Sequence, residues 1–147
     1  MIPKYRAYDS GSLSRMYQPD EVMVGDGNIW IIDEDSVAGD WIVNNDIHLM
    51  QSTDLRDRNS VEIFEGDILE IQGIRMVVKF GSYEYIESSK SNGHTLGVVY
   101  DGLGFYVECI NAADPDRISP FEPETLKESV VIGNIYKNPK LLQEVDD

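Results

Sequence analysis

The chain has 147 residues, with 27 acids, 12 bases and a formal net charge of −15, which disfavours direct nucleic-acid binding because such binding needs Lys and Arg to neutralise phosphates. Its length and its 41% hydrophobic content fit one globular domain or two small subdomains. No run approaches the roughly 18 apolar residues of a membrane helix, and no apolar stretch marks a signal peptide, so we expect a cytoplasmic protein that binds no membrane.

The first third of the chain favours strands. Short aromatic or β-branched runs separated by Gly, Asp and Asn are typical of β-structure. These runs are Tyr5–Tyr8, Asn28–Ile32, Trp41–Val43 and Ile47–Met50. We therefore predict an N-terminal β subdomain over residues 1–60.

Much of this region is strongly acidic. From Gln18 to Asp54 there is no Lys or Arg, and nine carboxylates occur. They are Asp20, Glu21, Asp26, Asp33, Glu34, Asp35, Asp40, Asp46 and Asp54. Self-repulsion in such a segment favours a solvated surface, and the same charge would also suit a basic partner.

The middle of the chain shows the clearest alternation. In Ile74–Phe80, every second residue is apolar, which predicts a half-buried strand. The preceding Ile68–Ile71 is predicted to pair with it across a tight turn at Gln72-Gly73.

A second hairpin is predicted further on. Its strands are Val98–Tyr100 and Phe105–Cys109, joined through residues 101–104, which include Gly102 and Gly104. The apolar run Val130–Ile135 is a candidate closing strand, and closure removes exposed sheet edges. The fold class is thus mainly β with two small β subdomains, and the C-terminal one, residues 61–147, is expected to be an SH3-like small antiparallel barrel.

Helix is sparse in this prediction. A turn is expected around Glu122–Lys127, and a short C-terminal helix is expected with Asn138 as N-cap and Pro139 at its first position. The polar stretch Ser88–His94, which contains Asn92-Gly93, is predicted to be a mobile loop.

Three blocks of sequence resemble the phage-associated YopX protein family. They are Lys4–Asp9 (KYRAYD), Leu49–Leu69 (LMQSTDLRDRNSVEIFEGDIL) and Val131–Tyr136 (VIGNIY) with the residues that follow it to Leu142. The resemblance implies a phage or prophage protein whose function it does not assign. This chain departs from the family pattern at Asp54 and Ser60, where the pattern has glycine, so Ser60 is expected to reach positive φ while carrying a Cβ.

The family-motif residues are the candidate site, in structural or interaction roles. They are Gln51, Thr53, Asp57, Asn59, Glu65, Gly66, Asp67, Gly133 and Asn134. Asp57 and Asn59 are expected to shape a hairpin. Asp67 is expected to accept backbone N–H bonds beside a glycine turn at Gly66.

The sequence predicts no enzyme. His48 and His94 are far in sequence from the single Cys109, which we expect to be a small buried hydrophobe. Zinc and calcium spacings are lacking, so we expect neither a metal nor a cofactor. A hydrolase that uses Glu65 and Asp67 as acid and base is the least favoured alternative.

Two classes of function fit these features. The first is a non-enzymatic module that self-associates into a homo-oligomer, or binds a host or phage protein, through anchors such as Trp30 and Trp41. The alternative is an acidic decoy that imitates DNA and occupies a host nucleic-acid-binding protein. The base-free stretch from Gln18 to Asp54 motivates the second class.

Overall fold

The structure is a computed structural model, and it describes residues 3–11, 14–91, 94–110 and 118–143. The fold is mainly β, as predicted. The chain divides into two compact units, Met1–Asp54 and Leu55–Asp147. Folding as subdomains 1–60 and 61–147 stays a prediction.

Among the described residues of the first unit, six strands begin, and four of them lie where the sequence predicts strands. They are β1 (Tyr5–Asp9), β2 (Arg15–Tyr17), β3 (Val22–Gly25), β4 (Asn28–Ile32), β5 (Trp41–Val43) and β6 (His48–Arg56), with a 3₁₀ helix at Pro19–Glu21. Sequence reasoning missed β2 and β3.

Two antiparallel groups form this unit. β1 pairs with β2 on one side and β6 on the other, and β4 pairs with β3 and β5 in the order β3-β4-β5. Their buried cluster contains Ala7, Tyr17, Val22, Ile31 and Ile47. Burial of such side chains contributes about 1.5–3 kcal/mol for each large aliphatic residue.

The second unit is built on one antiparallel sheet. Its elements are β7 (Glu62–Phe64), β8 (Asp67–Ile71), β9 (Ile74–Ser91), β10 (His94–Cys109), β11 (Ile118–Pro120), the single-turn helix α1 (Pro123–Leu126), β12 (Val130–Asn134) and a 3₁₀ helix at Pro139–Leu142. The five strands of the sheet follow the order β11-β10-β9-β8-β12.

The first predicted hairpin is confirmed. Ile71 pairs with Ile74, and the connecting Gln72 and Gly73 both have positive φ, at 50° and 79°. The candidate closing strand is confirmed as β12, which pairs with β8. An SH3-like barrel is not confirmed, because the described strands form a sheet in linear order that ends at β11 and β12.

The second predicted hairpin was wrong. Val98–Tyr100 and Phe105–Cys109 belong to one continuous strand, β10, whose partner is β9. The loop expected at Ser88–His94 is wrong for Ser88–Ser91, which end β9, and for His94, which begins β10. Asn92 and Gly93 lie outside the described residues.

The core of the second unit lies beneath the inner halves of β9 and β10. Its buried members are Ile63, Leu69, Met76, Val78, Val107 and Leu126. Cys109 packs against this cluster as the expected small hydrophobe, but it is half-buried and not buried.

The outer halves of β9 and β10 form a two-stranded ribbon. β8 pairs with β9 only as far as Val77, and β11 pairs with β10 only from Tyr106 onwards. Gly81 and Gly104 lie directly opposite each other, with φ of 148° and 136°, which a residue with a Cβ rarely adopts. The ribbon beyond this pair, residues 82–91 and 94–103, is termed the arm.

One face of the ribbon carries stacked tyrosines. The rings of Tyr83 and Tyr106 stack with centroids 4.7 Å apart, and those of Tyr85 and Tyr100 stack at 5.4 Å. Tyr83 covers Gly102, where a Cβ would lie 2.3 Å from the ring. Gly102, one of the two glycines that suggested a turn, therefore makes room for an aromatic ring inside a strand.

Candidate functional site

Two motif blocks that are distant in sequence meet in the second unit. The backbone N–H of Val131 donates to Asp57 Oδ2 at 2.8 Å across 74 positions of the chain. Ile135 N–H donates to Gly66 O at 2.9 Å, and Arg58 N–H donates to Ser129 O at 2.9 Å. Hydrogen bonds at and beside the two ends of β12, one to the Asp57 carboxylate and two between backbone groups, thus join the central block to the closing segment.

Asp57 is the centre of this junction. Its carboxylate is 6% exposed, and Oδ1 accepts N–H bonds from Asn59 at 2.8 Å and Val61 at 2.9 Å. Together with the bond from Val131, one carboxylate satisfies three backbone donors. Hydrogen bonds to a charged acceptor stabilise a fold more than neutral ones, so Asp57 holds both the 57–61 loop and the start of β12.

The Gly66-Asp67 pair shapes the turn before β8. Gly66 has φ of 86° and donates its N–H to Val78 O at 2.8 Å. Asp67 is 1% exposed, and its Oδ2 accepts the N–H of Phe64 at 2.8 Å. Asp67 therefore accepts a backbone N–H bond beside the glycine turn, as expected.

The closing block makes a second polar turn. Asn134 Oδ1 accepts N–H bonds from Tyr136 at 3.0 Å and Lys137 at 2.9 Å. Asn138 occupies the predicted N-cap position but makes no side-chain cap bond, because its Oδ1 accepts the N–H of Asn134 at 3.2 Å. Gly133 leaves the space for this contact, since a Cβ there would lie 2.5 Å from Asn138 Oδ1.

The remaining motif residues are placed differently. Gln51 and Thr53 are half-buried on β6 within the first unit. Asn59 is exposed in the loop after β6, and Glu65 is half-buried in the turn after β7. The structure therefore joins Asp57, Gly66 and the closing block, while Gln51 and Thr53 belong to the other compact unit.

Both departures from the family glycines fall at positive φ. Asp54 has φ of 60° and Ser60 has φ of 66°. The expectation for Ser60 is thus confirmed. At such positive φ, a residue with a Cβ lowers the free energy of unfolding by roughly 1–2 kcal/mol relative to glycine. This chain therefore forms both turns without the residue type that favours them.

A charged groove that sequence reasoning missed lies beside the 57–61 loop. It has a volume of about 390 Å³ and is lined by Arg58, Ile71, Gln72, Lys127 and Glu128. Its lining comes from three separated segments, so no local spacing in the sequence could reveal it. Arg58 and Lys127 bring two cations to a lining with one acid, Glu128, which leaves a net positive charge in a strongly acidic chain. This cavity is termed the basic groove.

The three-stranded sheet of the first unit exposes an apolar face. Met23, Trp30 and Val43 lie in one row across β3, β4 and β5, and Met23 and Val43 are exposed. Trp41, opposite Ile32, lies on the same face and is 36% exposed. Met23, Trp30, Trp41 and Val43 are termed the tryptophan face.

Two further features of the part of the chain that the structure describes concern metal binding and membrane crossing. There, no group of three or more His, Cys, Asp and Glu side chains could hold a metal ion. Within the same residues, every helix is too short or too polar to cross a membrane. His48 is exposed on β6 and hydrogen-bonds Ser10 Oγ at 3.1 Å.

The fold and the site define an acidic, mainly β protein in which the motif residues stabilise the turns. The chain belongs to the YopX protein family, which it matches over residues 4–143. Among solved structures it is similar to protein EF1440 from Enterococcus faecalis, at 24% sequence identity and a TM-score of 0.47, over 97% of this chain and 99% of that one. No curated protein matches the chain.

Replacing Asp57 by Asn should destabilise the second unit. The amide has the same shape, but its NH₂ group would turn a donor towards at least one of the three backbone N–H groups. We expect a loss of about 3 kcal/mol in the free energy of unfolding, measured by urea denaturation. The exposed Asp35→Asn is the matched control, expected within about 0.5 kcal/mol of the parent; equal stability of both variants would contradict the role of Asp57.

Replacing Ser60 by Gly should relieve its backbone strain. The Ser60 N–H bond to Asp57 O, at 3.0 Å, does not depend on the side chain. Ser60→Gly should therefore be more stable than Ser60→Ala by about 1 kcal/mol, because only the alanine keeps the Cβ at positive φ. Chemical denaturation of the two variants measures this difference, and an alanine variant at least as stable as the glycine variant would show that position 60 is unstrained.

Proposed function

We propose that this protein is a phage-encoded, non-enzymatic interaction module that self-associates. The tryptophan face is the observation that carries the proposal. Large apolar side chains gathered on a solvent-facing sheet are a feature of interaction surfaces. Trp is also among the residue types that contribute most binding free energy at protein interfaces.

The geometry of β5 adds a second reason. Among the described strands, β5 pairs only with β4, so its outer edge can accept another strand. All three of its residues, Trp41, Ile42 and Val43, are exposed and apolar. Two copies that meet through the same face and edge would form an isologous, two-fold contact.

The net charge of the protein opposes such a contact. Two copies that each carry −15 repel one another. Burial of apolar surface on the tryptophan face favours association, and salt does not screen this contribution. We therefore expect association through this face to strengthen as salt rises, since salt screens the repulsion over a shorter distance.

Placing a charge on the tryptophan face should weaken association. Val43→Lys puts an ammonium group into the contact, where burial without a partner is costly. At about 1 M salt, where the Debye length is about 3 Å, we expect its dissociation constant to rise at least about tenfold, an effect of roughly 1.4 kcal/mol. Sedimentation velocity across a concentration series measures this.

Val37→Lys is the matched control for this substitution. Val37 is apolar and fully exposed, and it lies outside β3, β4 and β5. The Val37→Lys variant should associate as strongly as the parent protein does. A parent protein that sediments as a monomer at every concentration and salt would remove self-association from the proposal.

The acidic segment supports a second candidate function, the DNA-imitating decoy. Seven of its carboxylates are exposed in the structure: Asp20, Asp26, Glu34, Asp35, Asp40, Asp46 and Asp54. A basic host protein would be recognised by this array through contacts that salt weakens.

Competition binding tests the decoy. Purified protein should displace labelled DNA from a basic host DNA-binding protein, and less so as salt rises. Displacement should fall when Asp35 and Asp46 are both replaced by Asn, which keeps side-chain size and removes charge. Undiminished displacement at high salt, or none at all, would contradict the decoy.

A further inference from the structure

The arm has an acidic and apolar face opposite its tyrosines. Glu84 and Asp101 lie directly opposite each other across β9 and β10, and both are exposed. On the same face Val99 and Leu103 are 61% and 81% exposed. Like charges directly opposite each other destabilise a ribbon, so this face has no evident benefit for the fold of the free protein.

The basic groove offers the complementary charge. Arg15, Arg75 and Lys79 form ion pairs with acids of the same unit, whereas the structure gives the exposed Arg58 side chain no ion pair among the described residues. Lys127 reaches only Glu124 at 3.7 Å, and both side chains are largely exposed. Such a pair contributes little and is easily exchanged for another.

The arm and the groove of one chain are held apart by β9 itself. Gln72 of the groove immediately precedes the hairpin, and β9 then runs continuously from Ile74 past Glu84. Ten residues of strand span roughly 33 Å at about 3.3 Å per residue. The acidic face cannot fold back onto its own groove while the strand stays paired, so the contact requires a second molecule.

We propose that the arm of one copy docks in the basic groove of a second copy. Glu84 and Asp101 meet Arg58 and Lys127, while the neighbouring apolar side chains of the arm pack near Ile71. The proposal rests on the proposed self-association but uses a different surface from the tryptophan face. Arm and groove are different patches, so the contact is heterologous and generates a ring or an open chain of copies.

Salt distinguishes the two contacts. Arm-to-groove association depends on opposite charges at the surface and weakens as the Debye length falls from about 10 Å at 0.1 M salt to about 3 Å at 1 M. Association through the tryptophan face changes in the opposite direction. The arm contact is therefore measured at about 0.1 M salt in the Val43→Lys background, where the tryptophan face is disabled.

Charge reversal on each side tests the contact. The arm variant carries Glu84→Lys and Asp101→Lys, and the groove variant carries Arg58→Glu and Lys127→Glu. Each should lower the association constant in the Val43→Lys background at least about tenfold in sedimentation velocity, and the chain with all four reversals should regain it. The arm variant keeps a like-charged pair across the strands, so circular dichroism should show an unchanged fold.

The direction of the arm effect separates this contact from general repulsion. Two lysines in place of two acids lower the net negative charge, so repulsion alone would make the arm variant associate more strongly. A control with Asp35→Lys and Asp46→Lys makes the same change in net charge away from the arm and should keep the association.

Each remaining outcome has a distinct meaning. If Val43→Lys alone is monomeric at 0.1 M salt while the parent associates, the arm contact is overturned and the tryptophan face stands. Residual association that both reversals leave unchanged also overturns it, as does failure of the four-fold variant to regain association with an intact fold. A parent that never associates overturns both the proposed function and this contact.

Discussion

The second unit depends on one buried carboxylate that serves three backbone donors. Among the described strands, β12 is an outer strand of its sheet and pairs with one neighbour, β8. Asp57 binds the N–H of Val131 at the start of β12, and Gly66 O binds the N–H of Ile135 just beyond its end. The edge strand is therefore fixed at both ends by residues of the central motif. This arrangement gives a physical reason for an acid at position 57, and the φ of 86° at position 66 gives one for a glycine.

Local patterns predicted local pairings and failed where a distant partner decides the conformation. Alternation in Ile74–Phe80 and the turn at Gln72-Gly73 were sufficient to predict the first hairpin, because both strands and the turn are contiguous. Gly102 and Gly104 are equally good turn signals, yet the ring of Tyr83 on another strand covers Gly102. β2 has only three residues, which is too short to show a period. The bond from Val131 to Asp57 crosses 74 positions, so the sequence indicated that Asp57 shapes a turn but not that it anchors a strand.

The scarcity of cations limits how copies of this protein can meet. With 12 bases against 27 acids, most surface encounters between copies are repulsive, and the two proposed contacts are of kinds that avoid this repulsion. One is apolar, as on the tryptophan face, and the other places acids against a locally cationic groove. The acidic composition thereby acts against non-specific association, so that the few contacts which remain favourable can be selective.

The uninterrupted register of the arm restricts how its length can vary. Tyr83 and Tyr85 lie on one face and Glu84 lies on the other, because neighbouring residues of a strand point to opposite sides. Loss of a single residue just after Gly81 would invert every side chain beyond it and mix carboxylates with tyrosines. Viable insertions and deletions in relatives should therefore occur as residue pairs matched on β9 and β10. The arm would lengthen or shorten in discrete steps while both faces keep their chemistry.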